Sequence, residues 1–391
     1  MRWLYVMILV VTTFLFNGLA VAGNGPPAVT PVSERIDQLM AGAMGKGLIA
    51  GGVVLIGNRD RILFEKPYGR VSSDPHSPPV TNDTIFDLAS LTKVLATTPA
   101  IMKLAEERKL SLVDPLTHWF PEFAGKGKDE VLVVNLLTHT SGLDDFGLSS
   151  LAPMQSAVEG AAGQKLKGEV GSRFRYADIN FILLAELVRR VSGEPLDVYI
   201  RRQFYGQLGM NDTMFTPGAV LHSRIAASPS DRSHLAGQPQ DSLARLLGGV
   251  AGHAGLFSTA RDLARFCRMV FDEGVLDGIR VLEERTVRQM TAPYFSRKGQ
   301  VVRGLGWDIA SPFSSPRGNG FSRSSFGHTG YSGTSLWLDP NAGIYVILLT
   351  SRLEYNKTHE FSQLRGSLSS LAAELYGVPP ALRDLEELAG E

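Results

Sequence analysis

Ser90-Leu91-Thr92-Lys93 places a hydroxyl and an amine three residues apart. On a helix, positions i and i+3 share a face, so the Lys93 amine lies beside the Ser90 hydroxyl. A serine alcohol is a weak nucleophile until a neighbouring base takes its proton. A desolvated lysine near another cation gives up its own proton readily and becomes such a base. Phe86-Asp87-Leu88-Ala89 precede Ser90 and set it at a helix N-terminus, where a free backbone N–H can stabilise an oxyanion. The spacing alone also fits a solvated helix start with an ordinary surface lysine. None of the other ten lysines, however, has a serine three positions before it.

Two further clusters could complete such a site. Tyr176-Ala177-Asp178 follows Gly171-Ser172-Arg173-Phe174-Arg175 and opens a helix near Ile179. A tyrosine on such a loop can reach across a cleft, and nearby cations make its phenol a competent base. The plainer reading is a half-buried packing residue for Tyr176 and an N-cap for Asp178. His328-Thr329-Gly330 precedes an apolar strand. A glycine beside an exposed strand edge lets a substrate backbone approach closely. The next N–H, that of Tyr331, is then a second oxyanion donor, and His328 contacts substrate or tunes Tyr176. The alternative is a turn with a surface histidine.

Three kinds of segment must position these groups. Residues 32–45 read as a short helix. Gly51 to Ile56 and Ile62 to Val71 flank a polar turn at Asn58-Arg59-Asp60, a β-hairpin pattern. From Thr84 to about Val250 the pattern is mostly helical. One helix opens at Leu91, Val94 and Leu95 with an expected kink at Pro99. Two more span Val131 to Leu137 and Phe181 to Val191, the latter stopped by Ser192-Gly193, and Pro195 starts another. Leu263, Phe266, Cys267 and Val270 share a helical face. Thr334 to Leu338 and Ile344 to Thr350 form a hairpin around Asp339-Pro340-Asn341-Ala342-Gly343. Both runs are apolar at nearly every position, so this sheet is expected to be covered on both faces, with the helix His359 to Tyr376 as one cover. Pro312 to Ser325 is rich in Ser, Gly, Pro and Arg and is expected to be a mobile loop. The order strands, helices, strands predicts an α+β fold. An antiparallel sheet flanked by helices is built from both chain ends, with an all-helical domain inserted. The expected division is a sheet domain of residues 23–83 and 256–391 and a helical domain of residues 84–255.

Composition excludes several classes. The 391 residues are 44% hydrophobic and 20% charged, a globular balance rather than a disordered one. Lys plus Arg and Asp plus Glu are 39 each, so no dominant basic field points to nucleic acid. Cys267 is the single cysteine, which excludes an intrachain disulfide and a Cys-based zinc site. Residues 1–22 read as an export signal. Arg2 is the charged start, Trp3 to Phe16 the apolar run, and Ala20-Val21-Ala22 the cleavage site. The alternative is an uncleaved N-terminal anchor. With the signal removed, no stable membrane span is expected, and the destination is periplasmic or extracellular. Residues 23–31 read as a leader and Asp384 to Glu391 as a solvated tail.

In order and spacing, the three clusters resemble the S-x-x-K serine hydrolases of the class C β-lactamase-like family. That family includes D-alanyl-D-alanine carboxypeptidases, low-mass penicillin-binding proteins and EstB-type esterases. The resemblance runs from about Val32 to Leu353. It includes Thr84-Ile85-Phe86-Asp87-Leu88-Ala89-Ser90-Leu91-Thr92-Lys93 and Leu136-Leu137-Thr138-His139-Thr140-Ser141-Gly142-Leu143. It also includes Gly248-Gly249-Val250-Ala251-Gly252-His253-Ala254-Gly255-Leu256-Phe257-Ser258 and Gly327-His328-Thr329-Gly330-Tyr331-Ser332-Gly333-Thr334. The resemblance implies that Ser90 is the acylated nucleophile and that Lys93 and Tyr176 share acid–base work. It makes the Ser90 and Tyr331 N–H groups the oxyanion hole, with His328, Thr329 and Gly330 lining the substrate edge. No cofactor is expected, and without an H-E-x-x-H motif or a close histidine pair no metal is expected either.

Two positions depart from the commonest family pattern. Asp178 replaces an asparagine, whose amide can donate where an ionised aspartate cannot. Asp178 either holds Lys93 and raises its pKa or binds a cationic substrate group. His328 replaces the lysine of true β-lactamases and is mostly neutral at pH 7. Both changes argue against an efficient β-lactamase. Among the other histidines, His139 is expected to anchor a turn, His253 either packs or borders the cleft, and His118 is structural. Cys267 reads as a core filler. No H-E-x-x-H, G-x-S-x-G or G-x-x-x-x-G-K-[ST] motif occurs.

The expected function is an exported, monomeric hydrolase that forms an acyl-enzyme on D-alanyl peptides of peptidoglycan. β-Lactams would be slowly processed acylating ligands. An EstB-type carboxylesterase and a non-catalytic penicillin-binding or wall-sensing protein are the alternatives.

Overall fold

A computed structural model describes residues 32–227, 236–297 and 301–377. The expected signal at 1–22, the leader at 23–31 and the acidic end at 384–391 lie outside these residues.

The main sheet has eight strands. They are β1 (Ile49–Asn58), β2 (Ile62–Gly69), β3 (Phe295–Arg297), β4 (Val301–Arg303), β5 (Asp308–Ala310), β6 (Phe326–Thr329), β7 (Ser335–Asp339) and β8 (Ile344–Arg352). Their spatial order is β2-β1-β8-β7-β6-β5-β4-β3, and every pairing is antiparallel. The first hairpin therefore joins the C-terminal strands through β1 and β8, with Val54 opposite Leu348. Every residue of β8 is buried. Alternation is absent because helices cover both faces. The helix α1 (Val32–Gly45) and the C-terminal helix (Thr358–Tyr376) pack together on one face. The helix Ala260–Phe271 lies against β1 and β8 on the other, and it buries Cys267. Each fully buried leucine or isoleucine of this sandwich contributes roughly 1.5–3 kcal/mol over an exposed one.

Between β2 and β3 the chain is mostly helical. The segments that matter for the site are α2 (Thr98–Glu106), α3 (Val133–Leu137), α4 (Pro153–Gly163) and α5 (Ile179–Ser192). The helices Ala260–Phe271 and Thr358–Tyr376 are α6 and α7. Gly193, in the left-handed region at φ 78°, ends α5 as the Ser192-Gly193 stop requires.

Three expectations need correction. The inserted region is not purely helical, because Phe86–Asp87 and Met214–Phe215 both pair with Leu256–Ser258 in a small sheet. Such two-residue strands are too short to show periodicity. Pro99 does not kink a helix interior. It lies where a π-helical stretch at Lys93–Thr97 passes without a break into α2, and the Leu95 carbonyl four residues before it accepts instead from the Tyr205 hydroxyl at 3.0 Å. The segment 312–325 is tied down. Pro316 and Phe321 are buried, the Asn319 N–H donates to Ser370 Oγ on α7 at 3.0 Å, and Ser322 Oγ donates to Asp339 at 2.7 Å. Its composition signals irregular backbone, and the anchoring comes from elements distant in sequence.

A buried ion pair closes the turn between β4 and β5. Arg303 Nη1 lies 3.0 Å from Asp308 Oδ1, and neither side chain is more than 2% exposed. Ser314 Oγ donates to the other carboxylate oxygen at 2.9 Å. Removing one partner strands a buried charge, so Arg303→Met is expected to destabilise the fold by about 3–5 kcal/mol. Urea unfolding checks this. Adding Asp308→Asn should recover part of the loss, and an unchanged midpoint in the single variant would refute it.

Candidate active site

Ser90 lies where the main sheet meets the helical region, at the end of the Phe86–Asp87 strand. The residue before it, Ala89, has φ 45°, a left-handed conformation that costs a non-glycine residue energy. The surroundings enforce it. Asp87 is buried and accepts from the Ala89 N–H at 2.8 Å and from the Gln240 N–H. Burial pushes the Asp87 carboxyl up to about 6, against the pull of those two N–H donors. Ala89–Leu91 then form a single 3-10 turn, and the chain widens into the π-helical stretch.

Ser90 and Lys93 remain on one face across this irregular start. Lys93 Nζ donates to Ser90 Oγ at 3.0 Å and to the His253 carbonyl at 3.0 Å. It lies 2.7 Å from Asp178 Oδ1 and is itself fully buried. Burial alone would pull the amine down, but Asp178 and Tyr176 outweigh it, and Lys93 is held above its ordinary value. Its resting form is an ammonium. Tyr176 lies beside Lys93 and Ser90, with its ring centroid 5.0 Å from Lys93 Nζ. Burial raises its phenol in spite of Lys93, so Tyr176 rests neutral. For Asp178, burial pushes upward, yet Lys93 and His253 hold the carboxyl below its ordinary range.

Asp178 does not cap α5, contrary to the N-cap expectation. Its side chain makes no cap bond and turns to Lys93. Asp145 takes over the capping and accepts from the Ile179 N–H at 2.9 Å. Of the two roles open to Asp178, the geometry matches the hold on Lys93.

The segment Leu136 to Leu143 supports Tyr176 from beneath. His139 stacks on its ring at 4.5 Å and 28°. His139 Nδ1 accepts from the Ala177 N–H at 3.3 Å, and Ser141 Oγ donates to Asn180 at 2.6 Å. Burial, then Arg303 and Lys93, hold His139 well below its ordinary pKa, so the ring is neutral. The glycine-rich turn cradles Lys93 from the other side. A Cβ on Gly252 would lie 2.0 Å from the Phe181 carbonyl, so only glycine lets this turn approach α5. His253 borders the site through its carbonyl on Lys93, and its Nε2 meets Asp241 Oδ1 at 2.9 Å. Asp178, Asp241 and His253 bring ligand atoms within 4.8 Å of one another. The Lys93 ammonium supplies the positive charge at Asp178.

His328 is buried on β6 rather than on the surface. Its Nδ1 lies 2.9 Å from the Thr329 carbonyl, and its ring is 6.1 Å from that of Tyr176. Burial, then Arg303 and Lys93, push its pKa well down. A neutral His328 offers no fixed charge to a substrate carboxylate. The turn 330–334 packs against the strand before Ser90. Ser332 Oγ donates to the Asp87 carbonyl at 2.6 Å, and Thr334 Oγ1 donates to the Leu88 carbonyl at 3.0 Å. A Cβ on Gly330 would fall 2.5 Å from the Leu88 carbonyl, so glycine is required there. The Tyr331 N–H makes no hydrogen bond among the described residues.

A cleft of about 310 Å³ opens beside Ser90, with His328, Thr329 and Gly330 along one edge. Phe313, 5.4 Å from the Tyr176 ring, covers part of it. Arg352 and Arg365 form its far wall, and among the described residues neither has a carboxylate partner. A second hollow on the other side of Ser90 is lined by Asp178 and Asp241. Sequence reasoning missed both arginines. A signal existed for Arg365, because it shares the apolar stripe Phe361, Leu364, Leu368 of the last helix.

Antiparallel strands from both chain ends, a helical insertion, and a serine–lysine pair at their junction define a serine hydrolase of the S-x-x-K type. The chain belongs to the β-lactamase family, whose model, described as Beta-lactamase, matches residues 36–365. A putative D-alanyl-D-alanine carboxypeptidase of Escherichia coli K12 is 31% identical over 343 residues, 76% of this chain and 77% of that protein. An N-acetylmuramyl-L-alanine amidase of Bacillus subtilis is 27% identical over 359 residues, 82% of this chain and 80% of that one. A penicillin-binding protein homologue from Caulobacter crescentus has the same fold. Its TM-score is 0.73 at 20% identity, with 88% of this chain and 97% of that one covered. The family acts on small-molecule or peptide substrates and β-lactams. Among the described residues, no helix is long and apolar enough to cross a membrane.

Proposed function

We propose that this enzyme is an exported hydrolase that cleaves D-alanyl peptides of peptidoglycan through an acyl-enzyme on Ser90. The observation that carries the reading is the 3.0 Å contact of Lys93 Nζ with Ser90 Oγ beside a cleft walled by two arginines that form no salt bridge among the described residues. Ser90 Oγ attacks the scissile carbonyl, and the Lys93–Tyr176 pair takes its proton and passes one to the leaving amine. The Ser90 and Tyr331 N–H groups bind the oxyanion. Water then releases the acyl group by the same route. The guanidinium groups are bonded to backbone carbonyls, but their positive field at the far end of the cleft suits a substrate that ends in a carboxylate, a role that a neutral His328 cannot fill. The carboxypeptidase and amidase relatives, both named for cell-wall bonds, favour a peptidoglycan peptide. The proposed domains are residues 23–83 and 256–391 for the sheet and 84–255 for the helices.

The test compares a D-Ala-D-Ala-terminated peptide with a short-chain p-nitrophenyl ester, using protein that lacks residues 1–22. Release of D-alanine from the peptide is the expected result. Ester cleavage alone would make the protein an esterase. A fluorescent phosphonate separates a catalytic from a non-catalytic protein, since only an active Ser90 is labelled. For export, mass spectrometry of the secreted protein should find Gly23 as its first residue. An intact N-terminus would indicate an anchor.

A further inference from the structure

We propose that Arg365 is a positioning residue for catalysis: it polarises the peptide unit that supplies the second oxyanion donor. The inference rests on the acyl-enzyme reading of Ser90.

Arg365 Nη2 donates to the Gly330 carbonyl at 2.7 Å and to the Thr334 carbonyl at 2.8 Å. The Gly330 carbonyl and the Tyr331 N–H belong to one planar peptide unit. That unit is trans, so its two ends point in opposite directions. A cation on the oxygen withdraws electron density from the nitrogen end and makes the N–H a stronger donor. Hydrogen bonds in such chains reinforce one another. The other oxyanion unit is built the same way with a weaker donor. Its Ala89 carbonyl accepts from Thr92 Oγ1 at 2.6 Å, and its nitrogen end is the Ser90 N–H.

The turn does not need a cation to hold its shape. The Gly330 N–H donates to the Thr334 carbonyl at 2.8 Å, and the Gly333 N–H donates to the Gly330 carbonyl at 3.1 Å. Ser332 and Thr334 bolt the turn to Asp87 and Leu88. Yet Arg365 is only 8% exposed, has no carboxylate partner among the described residues, and lies near a second cation, Arg352. Burial, with Arg352 adding to it, pulls its guanidinium down to about 9. A buried, unpaired charge is costly. Neutral donors already close the turn, so structure alone does not account for that cost. Arg352 reinforces the arrangement by donating to the Tyr331 carbonyl at 3.0 Å.

The test reads the oxyanion hole directly. Wild type, Arg365→Gln and Arg365→Lys are acylated with an ester carrying a 13C carbonyl, and the acyl-enzyme band is recorded by infrared difference spectroscopy. Weaker oxyanion donors leave more double-bond character, so the band in Arg365→Gln should move to higher wavenumber. Acylation should slow roughly 10- to 100-fold, less than loss of a whole donor, with KM changed less than about twofold. Arg365→Lys keeps the charge and should lie between, and it serves as the sole variant if Arg365→Gln does not fold. A band at the wild-type position in a folded variant, with only the melting temperature lowered, would overturn the proposal. Failure of wild type to form any acyl-enzyme would instead overturn the Ser90 reading, and this inference with it.

Discussion

Ser90→Ala is expected to lower turnover of any acyl substrate by at least about 10⁴-fold and to abolish covalent labelling by a phosphonate. The two readouts test different things. Turnover reports the whole site, including the oxyanion N–H groups and the Lys93–Tyr176 pair, which the substitution leaves in place. Labelling reports the covalent bond alone. The substitution itself should be structurally mild. Ser90 Oγ accepts one bond from Lys93, and the ammonium keeps Asp178 and the His253 carbonyl as partners without it. An unchanged melting temperature with labelling lost is the expected pair of results. Labelling that persisted in Ser90→Ala would place the nucleophile elsewhere and remove the basis for the proposed function.

The parts of this molecule legible in sequence are those decided by local pattern. The hairpin at Asp339–Gly343 shows its turn and its apolar strands together, and α1, α5 and α7 announce themselves by periodicity. The coverage of both sheet faces follows from Thr334 to Leu338 and Ile344 to Thr350 being apolar at nearly every position. The three site clusters are visible because each is a contiguous run, and the fold brings Ser90, Lys93 and Tyr176 into mutual contact.

What escaped is what depends on partners far along the chain. Asp178 opens α5 and looks like a cap, but Asp145, 33 residues earlier, caps the helix and frees Asp178 for Lys93. His328 looks exposed because a turn follows it, yet it lies within an eight-stranded sheet. The strand β6 is four residues long, too short to signal burial by alternation. Arg352 lies at the end of β8, and nothing local marks it as a wall of the cleft. Ala89 takes a left-handed conformation that its residue type disfavours. Local and global preferences conflict there, immediately before the proposed nucleophile, where such conflict is expected of a functional site.

Lys93→Met should cost about 10²- to 10⁴-fold in acylation, the range for a positioned proton-transfer group, and it should reshape the pH profile. Asp178 and Tyr176 raise Lys93 above its ordinary value, so at neutral pH the pair holds both protons, as ammonium and phenol. One must leave before the pair can accept the Ser90 proton. In wild type, kcat/KM should therefore climb as pH rises through the alkaline range, and the apparent pKa belongs to the pair rather than to either residue. Asp178→Asn removes the negative charge that raises Lys93, so the rising limb should move to lower pH. Lys93→Met should abolish the limb. It also leaves Asp178 without its cation, so Lys93→Met with Asp178→Asn is the control for lost stability. If the single Lys93 variant kept a wild-type rising limb, Tyr176 would be the base by itself and Lys93 only its electrostatic support. If Asp178→Asn left the limb in place, the 2.7 Å contact would set the position of the amine rather than its proton affinity.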